Sequence, residues 1–300
     1  MNGVLNVCKE KGYTSHDVVA KLRGICHQKK IGHTGTLDPD ATGVLPVCFG
    51  NATKLCDFLT DQEKTYEAVM FLGRETDTYD ASGVMLTNKG IAGITQEAVE
   101  EAILSFVPGY DQVPPMWSAK KVNGKKLYEL ARSGVEIERK PVHVGIPSIV
   151  IGKIDLPRVT FTVTCTKGTY IRSLIHDIGQ KLSCGAMMEE LTRTKTSGME
   201  IADALTLSAI EELMKAGELE SYLLATDEAL AAYPALQVLP SADRFLHNGN
   251  LFSQSDAPDV PETTENGTLF RVYDSAHGFV GLYRYERFEK RFRPYKMFLS

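Results

Sequence analysis

The sequence predicts an α+β fold that ends in a small all-β module, and three observations carry that prediction. Val159, Phe161, Val163 and Cys165 alternate with Thr160, Thr162, Thr164 and Thr166, the period of a half-buried strand. Shortly afterwards Ile171, Leu174, Ile175, Ile178 and Leu182 recur at the spacing of one helix face. Around Pro234–Pro240 the chain changes character: Gly, Pro and Asn punctuate short alternating runs at 269–273 and 278–285. With 300 residues the chain is long enough for two domains, placed here at 1–235 and 236–300.

The remaining elements follow in order. Residues 4–8 form an apolar strand. Ser15 caps a helix that carries Val18, Val19, Leu22, Ile25 and Cys26 on one face. A loop rich in glycine and proline follows at 32–46 and runs into an apolar strand at 44–49. A short helix at 52–59 precedes a β-rich run at 65–72, which holds Tyr66, and then a polar, acidic turn region at 73–83. Val99, Ala102, Ile103 and Phe106 line a helix that opens near Thr95 and stops before Pro108. Residues 114–146 begin with Pro114-Pro115 and lack periodicity, which marks a long excursion from the core. Arg172 projects from the first turn of the helix after 165, off its apolar stripe. Ser208 and Glu211 form a capping box for a further helix.

Composition narrows the function classes. With 43% hydrophobic and 24% charged residues, no apolar run of membrane-spanning length and no signal segment, the expectation is a cytoplasmic protein. Six scattered cysteines without a CxxC spacing read as buried thiols, not as a disulfide framework or a zinc site. A net charge of −5 argues against a general polyanion-binding surface but leaves room for local ones. Lys120, Lys121, Lys125, Lys126, Arg132, Arg139 and Lys140 cluster in the 114–146 excursion. Arg284, Arg287, Lys290, Arg291, Arg293 and Lys296 interleave near the end with Tyr283, Tyr285, Phe288, Phe292 and Tyr295. Basic residues among aromatics suit phosphate contact and base stacking, although each segment alone also fits a solvated face.

The 32–46 loop concentrates chemistry. Its glycines allow backbone to approach a ligand, and it holds Asp38, His33 and several hydroxyls against a strand. A lone carboxylate can serve as nucleophile or base when it is ionised and aimed. An arginine fork can keep it so by gripping it and holding its pKa low, and Arg172 is the candidate. Tyr66 and Tyr170 could stack on a planar substrate or simply pack. No HExxH, clustered metal ligands or phosphate-loop lysine occurs, so no metal or cofactor is implied. The Asp38-Pro39-Asp40 run resembles the nucleophile motif of haloacid-dehalogenase-type phosphatases. Gly-His-Thr-Gly-Thr precedes it where that family has an apolar strand, and the later acidic pair is missing.

The stretch GHTGTLDPDATGVLPVCFGNATK at 32–54 resembles the signature of TruB-type tRNA pseudouridine synthases. KTYEA (64–68), GRETDTYDASG (73–83), VPPMWSAKKVNGKKLYELARSGVEIERKPV (113–142), CTKGTYIRSLIHDIG (165–179) and CGAMMEELTRTKTSGM (184–199) follow in that family's order. The resemblance implies a pseudouridine synthase fold, a mixed and largely antiparallel sheet flanked by helices and loops, with an RNA-clasping insertion at about 114–146 and a PUA-like C-terminal domain. It implies isomerisation of uridine 55 in the T loop of tRNA, with Asp38 as the catalytic aspartate and Arg172 as its partner. Tyr66 would stack on the target uracil, Tyr170 and Leu191 would line the base pocket, and His33 would support the rearranged loop. Asp77 would belong to the surround. Lys120, Lys121, Lys125, Lys126 and Arg132 would grip phosphate. Trp117, where the family usually has a smaller residue, would stack or pack with little effect on activity. No cofactor, protein partner or membrane is implied, and the chain would act as a monomer. The competing expectations are a tRNA-binding or folding-assistant protein with incidental catalysis, and a guide-RNA-dependent form.

Overall fold

Helices and strands alternate irregularly along the chain, and a computed structural model describes residues 1–122 and 124–299. The first stretch holds β1 (Gly3–Lys9), α1 (Ser15–Ile25), β2 (Ile31–His33), β3 (Thr42–Phe49), α2 (Cys56–Thr60), β4 (Lys64–Leu72), β5 (Arg74–Thr76), β6 (Met85–Asn88) and α3 (Gln96–Leu104). The second holds β7 (Gly109–Gln112), β8 (Lys121–Val122), β9 (Lys125–Lys126), α4 (Leu127–Arg132), β10 (Val142–Gly145), β11 (Ser148–Asp155), β12 (Arg158–Cys165), α5 (Ile171–Lys181), β13 (Ala186–Thr196), β14 (Met199–Glu200) and α6 (Leu207–Ala216). The last holds β15 (Ala235–Gln237), α7 (Asp243–His247), β16 (Phe252–Ser253), β17 (Leu269–Tyr273), β18 (Phe279–Glu286) and β19 (Arg291–Met297).

The main sheet runs β1-β3-β13-β4-β12-β11, with β2 on β3 and β14 on β13. Its one parallel pairing, β13 on β3, sets Thr192 opposite Thr42 and Arg193 opposite Gly43. The alternation at 159–165 builds β12 as predicted, and Val159, Phe161 and Val163 join Ala68 and Met70 of β4 beneath Leu174, Ile175 and Ile178 of α5. Leu5, Val7, Leu45 and Val47 of β1 and β3 pack against Val18, Val19 and Leu22 of α1 and Ile210 of α6. The second sheet, β15-β17-β18-β19-β16, closes over Val272, Val280, Tyr283 and Phe292. Val4, Cys48, Leu55, Leu282 and Phe298 form one cluster that joins the two sheets. No helix among the described residues is long and apolar enough to cross a membrane.

Several local expectations are corrected. Thr14, not Ser15, caps α1: its side chain accepts from the Asp17 N–H while Asp17 accepts from the Thr14 N–H. Ser15 is free to turn inward. Thr206, not Ser208, caps α6. The short helix at 52–59 is a 3₁₀ turn, Gly50–Leu55, running into α2. The 114–146 excursion carries the β8–β9 hairpin and α4, then returns as β10 paired with β7. The C-terminal module holds α7 besides its strands. Three of its five interleaved aromatics, Tyr283, Tyr285 and Phe292, are buried core, whereas Phe288 is 87% exposed and Tyr295 46%. Arg291 and Arg293 both pair with Glu286 at 2.6 Å, so that basic run is partly neutralised.

The β3–β13 contact depends on a glycine. Gly43 has φ +104°, and a Cβ there would run into the backbone of Arg193. Gly43→Ala is therefore expected to cost about 3 kcal/mol or more, from strain and collision together. Chemical denaturation would register it as a lower midpoint.

Candidate active site

The loop between β2 and β3 is held from below by residues distant in sequence. Ser15 Oγ accepts from the Leu37 N–H at 3.0 Å and donates to the Leu37 carbonyl at 3.3 Å, fixing the residue before Asp38. Lys9 is fully buried at the end of β1, and its ammonium donates to the carbonyls of Tyr13, Pro39 and Glu10 at 2.6, 3.0 and 3.1 Å. Burial pulls the Lys9 pKa down, and the Asp38 and Asp40 charges oppose that. Arg193 of β13, also fully buried, donates Nε to the Val44 carbonyl at 2.7 Å and Nη2 to the Gly35 carbonyl at 3.0 Å. It thereby ties together the two ends of the stretch that carries Asp38.

Arg172 sits in the first turn of α5 with its side chain 7% exposed, and its fork is fully engaged. Nε faces Asp38 Oδ2 at 3.0 Å and Nη1 faces Asp80 Oδ2 at 3.3 Å. Nη1 also donates to the Thr78 carbonyl at 2.9 Å, and Nη2 donates to the Trp117 carbonyl at 3.0 Å. The start of α5 is fixed by Gln112 of β7, whose side chain accepts from the Tyr170 N–H at 2.8 Å and donates to the Tyr170 carbonyl at 3.0 Å. One arginine thus collects the Asp38 loop, the acidic turn and the base of the insertion.

Two cavities meet at Asp38, Arg172 and Leu191. One, of about 250 Å³, adds Tyr66, Tyr170, Lys64, Lys167 and Arg193 to its walls. The other, of about 340 Å³, adds Asp40, Asp80, Trp117, Glu189 and Glu190 and is strongly acidic. Tyr66 is buried on β4 opposite Val163 and Arg193, and burial raises its phenol pKa, so it stays protonated at neutral pH. The family resemblance implies one site for Asp38, Arg172, Tyr66, Tyr170 and Leu191, and all five line the same cavity. His33 lies outside both cavities, edge-on to His16 at 5.7 Å, and burial lowers its pKa. Asp77 braces its own loop by accepting from the Val84 N–H at 2.7 Å. Of the insertion cations, Lys121, Lys125 and Arg132 are exposed, and Lys126 and Arg132 both sit over the Tyr128 ring.

One electrostatic expectation is reversed. Arg172 does not leave Asp38 with a lowered pKa: burial is the largest influence, the like charge of Asp80 adds to it, and together they hold the carboxyl above the ordinary aspartate range. The cleft mouth leaves 45% of the Asp38 side chain exposed, so solvent tempers this rise.

Family comparison agrees with the geometry. Residues 23–171 match the family model of the TruB family pseudouridylate synthase N-terminal domain, and residues 172–231 match the tRNA pseudouridylate synthase B C-terminal domain. The chain belongs to the TruB family. It is 49% identical over 308 aligned residues to the tRNA pseudouridine synthase B of Lachnoclostridium phytofermentans, covering 100% of both chains. It is 44% identical over 299 residues to that of Clostridium kluyveri, again covering both chains in full. Among solved structures it resembles a chain of a Cbf5-Nop10-Gar1 complex with a TM-score of 0.76 at 25% identity, covering 99% of this chain and 85% of that one.

Asp80, Lys9, Arg193 and Gln112 were not singled out from the sequence, and Ser15 was read only as a helix cap. The available signal for Asp80 was chemical: a buried arginine fork has more donors than one carboxylate can satisfy. Asp80 Oδ1 accepts from Thr78 Oγ1, Ser82 N and Ser82 Oγ, so Asn can keep that loop while removing the charge. Asp80→Asn is expected to lower the Asp38 pKa, because it deletes a like charge and leaves Arg172 to Asp38. The acidic limb of the single-turnover rate against pH then moves to lower pH. An unmoved limb would mean that the Asp80 charge does not reach Asp38. Among the described residues no group of three or more His, Cys, Asp or Glu side chains is disposed to hold a metal ion.

Proposed function

We propose that this member of the TruB family isomerises uridine 55 of the tRNA T loop to pseudouridine, and that it does so alone, as a cytoplasmic monomer. The observation that carries this reading is a carboxylate, Asp38, gripped by Arg172 at the junction of two cavities, one of them walled by Tyr66, Tyr170 and Leu191. The target nucleotide leaves the RNA stack, at a cost of a few kcal/mol, and its uracil enters between those side chains. Stacking on an aromatic wall returns about 1–3 kcal/mol of that cost. The ionised carboxylate lies by the ribose while the N1–C1′ bond breaks. The freed uracil turns and C5 bonds to C1′; the C5 hydrogen departs as a proton and N1 gains one.

His33, which lies outside both cavities, supports the rearranged T loop once the base has left the stack. On the uracil side Lys64 is buried and donates to the Thr60 and Gln62 carbonyls, and Lys167 is paired with Asp61 at 2.7 Å, while the exposed Lys121, Lys125 and Arg132 face solvent where the RNA backbone would pass. Lys120 and Lys126, half-buried on the same hairpin, complete that grip. The purified chain is expected to convert one uridine in an isolated T-arm hairpin, without a guide RNA or a second protein, as read by reverse-transcription stops after carbodiimide labelling. A requirement for a guide RNA or partner would overturn the stand-alone reading.

A further inference from the structure

We propose that Tyr79 is a positioning residue of the isomerisation, and that its stack on His176 sets the geometry of the Arg172 clamp. The inference rests on the reading of the Asp38–Arg172 site given above. Arg172 binds the two neighbours of Tyr79, the Thr78 carbonyl and the Asp80 carboxylate, but not Tyr79 itself. Both can reach one guanidinium because the backbone bends sharply between them: Tyr79 has φ +65°, a conformation that a bulky residue rarely adopts without support. The support is visible. The Tyr79 ring stacks on His176 with centroids 4.0 Å apart and planes 14° from parallel. His176 lies four residues after Arg172, on the same face of α5.

One helix face therefore holds one bend at three successive residues, by hydrogen bond, by stacking and by ion pair. The backbone of Tyr79 is pinned as well, its N–H donating to the Thr76 carbonyl at 3.2 Å and its carbonyl accepting from the Met188 N–H at 2.9 Å. Arg139 of the insertion, which donates to the Glu136 carboxylate at 3.0 Å and to the Pro114 carbonyl at 3.3 Å, opposes the upward shift that burial gives the Tyr79 phenol. Neither ring lines the two cavities, so Tyr79 and His176 act through Arg172 and Asp80 and not on the substrate.

The test is single-turnover conversion of a T-arm RNA beside an independent measurement of RNA affinity. Tyr79→Leu and His176→Ala, each removing one ring of the stack, are expected to slow conversion by about 10- to 100-fold, since a misplacement near 1 Å in a catalytic group is sufficient for that. The RNA dissociation constant should not change. His176→Phe, which restores a ring, should recover most of the rate, and the Tyr79→Leu/His176→Ala double variant should be no slower than the slower single. Should Tyr79→Leu fail to fold, His176→Ala and His176→Phe carry the same comparison. Wild-type rates in Tyr79→Leu or His176→Ala would overturn the proposal. So would a loss that His176→Phe does not repair, or one matched by an equal loss of RNA affinity. Inactivity of the wild-type chain on the same RNA would instead sink the functional reading on which the proposal stands.

Discussion

Asp38→Asn is expected to abolish conversion of uridine, lowering the rate by about 10⁴-fold or more, while the affinity for tRNA persists. The amide keeps the shape of the side chain and can still meet Arg172 Nε through its oxygen, so the loop held by Ser15, Lys9 and Arg193 has no reason to move. What disappears is the charge beside the ribose. Stability should not suffer. Burial raises the Asp38 pKa in the folded state, so ionising it disfavours folding at any pH above the unfolded-state value, and Asp80 remains to balance Arg172. The melting temperature at neutral pH is therefore expected to be no lower than that of the wild type. A variant that binds tRNA and converts it at an ordinary rate would contradict the role given to Asp38.

Arg172→Met is expected to be damaging twice over. It leaves Asp38 and Asp80 facing each other without a cation, and it orphans the Thr78 and Trp117 carbonyls that the fork now satisfies. Breaking a fully buried pair costs about 3–5 kcal/mol of stability; here the loss is smaller, because Asp80 is largely buried but the cleft mouth leaves 45% of the Asp38 side chain to solvent. The Asp38 pKa rises further once its opposing cation is gone, so whatever activity survives should show its acidic limb displaced to higher pH. Arg172→Lys should rescue little: one ammonium cannot reach four acceptors that a planar fork now divides among Nε, Nη1 and Nη2. Denaturation midpoints and single-turnover rates across pH would register both effects. Full stability with an unshifted pH profile would show that the ion pair is incidental.

Much of this arrangement was legible in the residues, and what was not has physical causes. The strand at 44–49 announces itself as an apolar run, because both its faces are buried, and the strands at 65–72 and 159–165 and the helix from 171 do so because one face of each is buried against an unbroken core. The central strand β13 gave no such signal. Irregularities in its pairing with β4, between Met188 and Glu190 and again between Arg193 and Lys195, shift the inward register twice and erase the alternation. Its largest fully buried side chain is an arginine, the residue type that patterning assigns to solvent. Lys9 is hidden for the same reason. Chemistry alone made Arg172 a candidate partner for Asp38, since a carboxylate kept ionised needs a cation, and the family resemblance singled it out. Asp80 could not be found in this way, because a polar turn with Asp77 and Asp80 three residues apart does not show which of them looks inward. The direction of the Asp38 pKa was also out of reach, being set by how deeply the loop is enclosed.

The most direct measurement is tritium release from a T-arm transcript carrying tritium at C5 of its uridines, incubated with the purified chain in the presence of a chelator and no nucleotide. Forming the new C5–C1′ bond must expel that hydrogen, so release should reach one equivalent per RNA, all of it from position 55, and should vanish in Asp38→Asn. Absence of release from the wild-type chain, release from several uridines, or undiminished release by the asparagine variant would contradict the account.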